Sequence, residues 1–209
     1  APFAYIMVAL IEEGILKRFQ TAYDYAMMGF QLQEKFPNME TQGRSYFATG
    51  NMMLHWVNPV AEHFELVLKG LRIFQEVGNI HWANYSKVFT RTQSIFFNRN
   101  LLSDIEEENN FSYKLHVKSN DREVILNQYM IMRFIKTQFM DTFVLPENIY
   151  RFDEAEYEKE MYEPGNNIPR CYYFVFKNIE LYDKGNFIEA LNFGWKGFKI
   201  LHEIFGILL

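Results

Sequence analysis

The feature that most constrains this chain is that it repeats itself. Phe187-Ile188-Glu189-Ala190 aligns with Phe19-Gln20-Thr21-Ala22. The match runs on without a gap through Phe193 with Tyr25, Gly197 with Gly29 and Phe198 with Phe30, at a constant offset of 168. A third copy stands at an offset of 41, where Gly70-Leu71 matches Gly29-Phe30 and Ile73 matches Leu32. Four steps of about 42 make the longer offset, so the spacing predicts about five antiparallel helical hairpins in tandem. Repetition at this period marks a solenoid, in which each unit buries its apolar face only against its neighbours. The expectation is therefore a single all-α helical-repeat domain over residues 1–209.

The supply of apolar residues fits. Hydrophobic side chains make up 49% of the chain and aromatics 18%, well above what a disordered segment carries. The net charge is −5 and the basic residues are scattered, with no run longer than Lys17-Arg18. A protein that grips a phosphate backbone needs a basic face, so no nucleic-acid partner is expected. One cysteine, Cys171, forms no internal disulfide and suits a reducing cytoplasm. No stretch reaches the ~18 uninterrupted apolar residues of a membrane span. The apolar run Phe3 to Ile11 lacks the basic start and cleavage site of a signal peptide. The Asn84-Tyr85-Ser86 sequon reads as an accident of composition.

Periodicity and punctuation place the helices. Pro2 opens the first, and Gly14 to Phe19 turn the chain. The second runs from about Thr21 to Phe36 and stops at Pro37-Asn38. Two more are expected at about Glu40–Trp56 and Val60–Val77, divided by Asn58-Pro59 and closed by Gly78-Asn79. A fifth covers Ile80 to Phe97, then Asn98-Arg99-Asn100 turns, with Ser103 or Asp104 as cap of a helix that starts on Glu106, Glu107 and Glu108. A Met-rich helix follows at about Arg122–Phe139, a loop at Phe143–Phe152, and a short acidic helix at Asp153–Tyr162. Glu163 to Pro169 reads as a plain linker, and the last hairpin is Arg170–Tyr182, the turn Lys184-Gly185-Asn186, and Phe187 onward. The opening Ala1-Pro2-Phe3 and the apolar close Ile207-Leu208-Leu209 read as boundaries inside a longer protein.

Catalytic signatures are missing. There is no G-x-x-x-x-G-K-[ST] loop, no G-x-G-x-x-G after a strand, no kinase triplet and no H-E-x-x-H. His55 and His81 neighbour Trp56 and Trp82 and read as packed or rim residues. His202-Glu203 lacks the Arg-Thr-Pro that follows a phospho-accepting histidine, so it reads as surface. The acids Asp153 to Glu163 read as a solvated helix face, Tyr172, Tyr173, Phe174 and Phe176 as the buried side of a repeat helix, and Met130, Met132 and Met140 as core filling. Glycine within a helix costs up to about 1 kcal/mol relative to alanine, so Gly29, Gly70 and Gly197 imply close approach of a neighbouring helix.

One resemblance emerges from these residues. Tyr46-Phe47-x-x-Gly50, His55-Trp56-x-x-Pro59, Phe74-Gln75-Glu76-Val77-Gly78-Asn79 and Ala83-Asn84-Tyr85 are similar to the tetratricopeptide-like helical region of large multi-domain bacterial signalling proteins. So are Tyr173-Phe174 and Leu181-Tyr182-x-x-Gly185-Asn186-Phe187-x-Glu189-Ala190. Those proteins carry serine/threonine kinase-like, AAA-type ATPase, GAF sensor and histidine kinase domains around that region. The resemblance implies a tetratricopeptide-like fold and a non-catalytic scaffold, because that chemistry lies in the flanking domains. The period near 41 is longer than that of the tetratricopeptide repeat.

The leading expectation is thus an interaction or regulatory module with no catalytic, cofactor or metal residue. Its partners are protein segments or neighbouring domains, and Trp56, Trp82 and Trp195 are the possible partner-binding residues, because Trp is over-represented in binding hot spots. The alternative is a helical-repeat sensor domain that binds a small apolar ligand among its aromatics and methionines. An enzyme is the least favoured class.

Overall fold

Punctuation residues set the helix ends. The structure is a computed structural model that describes residues 2–96, 121–138, 154–163 and 166–201. These form α1 (Pro2–Gly14), α2 (Phe19–Lys35), α3 (Met39–Ala48), α4 (Val60–Glu76), α5 (Ile80–Phe96), α6 (Arg122–Gln138), α7 (Glu154–Met161), α8 (Asn167–Asp183) and α9 (Phe187–Leu201). Among the described residues there is no strand, so the chain is all-α there. Asn38 caps α3, its side chain accepting from the Thr41 N–H at 2.9 Å, and Asn79 accepts from the Trp82 N–H at the start of α5. α4 and α8 end alike. Gly78 and Gly185 take φ of 70° and 79°, and the next residue's N–H returns to Phe74 O and Leu181 O at 2.8 Å.

The chain divides into two compact units, one within residues 1–97 and the other within 98–204. In the first, α1 packs on α2, α3 on α4, and α4 on α5. The hairpins are antiparallel and equivalent in detail. A Cβ on Gly29 would meet Pro2 O at 3.2 Å, Ile6 at 3.1 Å and Tyr5 Cβ at 3.4 Å. A Cβ on Gly70 would meet Gly43 O at 2.9 Å, the Phe47 N at 3.2 Å and Tyr46 Cβ at 3.4 Å. Each contacted residue in the second hairpin is its counterpart in the first moved by 41. The small side chain therefore lets two backbones meet at the same point twice.

α3 then docks on the first hairpin. Ala48 and Met53 join Ile6, Ala9, Ala22 and Ala26 in one buried cluster. Tyr46 packs on Phe30 at 5.3 Å between ring centroids, and Trp56 stacks on Phe19 at 4.5 Å. Phe47, buried, meets Trp82, Tyr85 and Phe89 of α5 on its other side.

The second unit is built around α8. Phe134 of α6 lies 4.4 Å from Phe176, and Arg133 pairs with Glu180 at 2.7 Å with both side chains buried. Tyr157 of α7 donates to Leu126 O at 3.0 Å, and the Tyr173 hydroxyl donates to Glu158. α9 lies along α8. Tyr172, Tyr173, Phe174, Phe176, Met130 and Met132 are buried.

Two expected segments differ. Residues 40–56 do not form one helix. α3 ends at Ala48 and the chain continues as a π-turn, Thr49–Met53, and a 3₁₀ turn, Leu54–Trp56. Gly50 allows this wide turn to fit, since a Cβ there would meet His63 O and a Val67 methyl at 2.8 Å. Glu163 to Pro169 is not all linker either, because α8 begins at Asn167 and holds Pro169 in its first turn. A first-turn N–H has no helical acceptor, so proline loses nothing there. The expected turn at 98–100, the helix after Ser103, the loop at 143–152, Met140 and His202 lie outside the described residues.

Candidate functional site

The three tryptophans have three different surroundings. Trp82 is half-buried between Phe47 and Phe74, whose ring it stacks on at 5.7 Å, with the Arg44 guanidinium 5.5 Å above it. Its ring packs between elements of the first unit. Trp56 is 49% exposed but held: it stacks on Phe19, and its indole N–H donates to a Glu13 oxygen at 2.9 Å. Trp195 stands out from α9 with 55% exposure, its ring edge-on to Phe198 at 5.7 Å.

Around Trp56 lies a polar cluster that composition does not reveal. Glu13 is buried on α1, and burial pushes its carboxyl up to about 7 against the lowering effect of the Trp56 hydrogen bond. His55 touches the Trp56 ring, and burial, helped by neighbouring His63, pulls its imidazole down to about 4. His55 is neutral and Glu13 is poised near neutrality. Asn51 of the π-turn accepts from Gln93 of α5 at 2.7 Å. These groups link elements of the first unit, and among the described residues no three His, Cys, Asp or Glu converge as a metal site. Cys171 is buried, and desolvation pushes its thiol up to about 12, far from a reactive thiolate. Asn84 is buried within α5, so its sequon is closed to modification.

The outward face of α9 is the stronger candidate. Phe187, Leu191, Trp195 and Phe198 recur at spacings of four, four and three, one face of a helix, and are 60%, 61%, 55% and 65% exposed. Tyr182, at the end of α8, extends the patch and packs edge-on to Phe187 at 5.3 Å. A shallow open hollow lined by Gly185 to Glu189 lies at this end. The opposite face holds the hairpin together: Phe193 sits against Tyr173 and Phe174, with the Lys196 ammonium 4.5 Å from its ring. Scattered apolar residues on a surface are ordinary, but four on one helix face make α9 the candidate interaction surface. Trp195 is legible in the sequence as a hot-spot type. Its three companions are not marked by type, although their spacing carries the signal.

The chain matches no family model, no curated protein and no solved structure. Among the described residues no helix is long and apolar enough to cross a membrane.

Proposed function

We propose that the chain is a non-catalytic scaffold, a tetratricopeptide-like array of hairpins whose exposed helix faces take other α-helices. The setting we assign is a cytoplasmic signalling protein of the multi-domain kind it resembles, and the partners are helical segments of other proteins or neighbouring domains. One observation carries this reading. Phe187 and Phe198 of α9 are the counterparts of Phe19 and Phe30 of α2 at the offset of 168. In α2 both rings are covered, by Trp56 and Tyr46 of the segment that follows. In α9 both are open. A face of the same make is thus seen taking a helix once within the chain, the helix-on-apolar-surface mode of recognition.

The test is a titration of the isotope-labelled chain with a peptide of residues 38–57. Saturable shifts of α9 amides, lost in Trp195→Glu, are expected. Shifts spread over both units, or none at millimolar peptide, would overturn the reading.

A further inference from the structure

The face that α3 presents to the first hairpin has an exposed counterpart on α1. Moving back by 41 takes Tyr46 to Tyr5, Ala48 to Met7, Thr49 to Val8, Met52 to Ile11 and Trp56 to Ile15. Ala48 and Met53 are buried against the first hairpin, and Tyr46 and Trp56 make the ring contacts with α2. The counterparts Tyr5, Met7, Val8 and Ile11 on α1, and Ile15 just after it, are all exposed, while Met53 corresponds to Glu12. The correspondence of α1 with α3 is geometric as well, because both meet the glycine of their partner helix with the same positions. The chain therefore displays both halves of one internal contact, the docking half on α1 and the receiving half on α9.

We propose that the chain associates head to tail with a second copy of itself, the outward face of α1 in one copy seated on the outward face of α9 in the next as α3 sits on α2. This rests on the reading of the α9 face as a helix-docking surface and names its occupant. There Tyr5 takes the place that Tyr46 has on Phe30 and meets Phe198. The two surfaces differ, so the contact is heterologous and joins copies into a closed ring or an open chain.

Sedimentation of the whole chain over about a hundredfold range of concentration tests this. Average mass should climb above that of the monomer as concentration rises. Two variants on exposed positions break one face each: Trp195→Glu with Phe198→Glu on α9, and Val8→Glu with Ile11→Glu on α1. Each alone should weaken association at least tenfold and sediment as a monomer, with an unchanged circular dichroism spectrum. Mixed one to one, they should form a dimer and nothing longer, since one intact face of each kind remains. A wild-type chain that stays monomeric overturns the proposal. So does association that survives the α1 variant, which would mean that α9 faces pair with each other. If the 38–57 peptide binds α9 but the chain stays monomeric, the scaffold reading stands and self-association falls.

Discussion

Lys17 shows how a single residue carries a turn that glycine fills elsewhere. It has φ of 55° at the end of α1, and its counterpart at the longer repeat offset is Gly185, with φ of 79°. A side chain in that left-handed region costs about 1 kcal/mol or more, because Cβ crowds the following carbonyl. Lys17→Gly should raise the melting temperature by a few degrees, and Lys17→Val should lower it, in thermal denaturation followed by circular dichroism. Glu180 matters for the opposite reason, that it is held by partners. Burial alone would raise its carboxyl, but the Lys184 ammonium at 2.7 Å and the buried Arg133 guanidinium hold it below its ordinary value. The stability it contributes is present above that ordinary value and is lost as pH falls through the lowered one. Glu180→Ala leaves Arg133 buried without its carboxylate and should cost about 3 kcal/mol in urea unfolding.

At the scale of elements, the π-turn region binds two titrations of opposite sign. Folded Glu13 keeps its proton up to about 7 rather than 4.5, so the folded state holds more protons in that window and stability falls as pH rises through it. Folded His55 stays neutral down to about 4 rather than 6.5, so the unfolded state holds more protons there and stability rises with pH. The two slopes oppose each other where the windows overlap. Glu13→Gln, which keeps an acceptor for the Trp56 N–H, should expose the rising slope of His55, and His55→Gln the falling slope of Glu13. Urea midpoints measured between pH 4.5 and 7 will show whether the slopes diverge in this way. The helix-to-helix approach at the glycines is graded as well. Gly70→Ala drives a Cβ to 2.9 Å from Gly43 O, backbone that cannot step aside, and should cost about 2 kcal/mol. At Gly197 the nearest atom is Phe174 Cβ at 3.4 Å, so Gly197→Ala should be neutral or gain up to about 1 kcal/mol of helix propensity. Melting curves of the two variants decide it. Close approach is thus the reason for Gly70 and a weaker reason for Gly197.

Across the whole molecule, helices were legible where a stripe and a stop signal coincided. α2, α4 and α5 begin and end within about two residues of where apolar period and Asn, Pro or Gly signals place them. The misses have local causes. The helical stripe from Tyr46 to Trp56 hides a change from α to π winding, because the cause is backbone contact between Gly50 and α4, a partner distant in sequence. Pro169 reads as a breaker because its position in the first turn depends on where α8 starts. The candidate site was half legible. Trp195 is marked by its type, but an exposed Trp and a packed one such as Trp82 read alike until the neighbours are known. The repeat itself was legible as identities. That Gly29 and Gly70 touch equivalent backbone was not.

That equivalence fixes a distance along the chain. One and the same spacing separates Tyr5 from Gly29 and Tyr46 from Gly70, although the span between them is divided differently among helix, wide turn and connection. A single insertion or deletion between them would swing the glycine about 100° around its helix and set a bulkier neighbour against the opposing backbone. Surface connections usually tolerate a change of length. Here 15–18 and 57–59 behave as gauge blocks, more tolerant of substitution than of insertion.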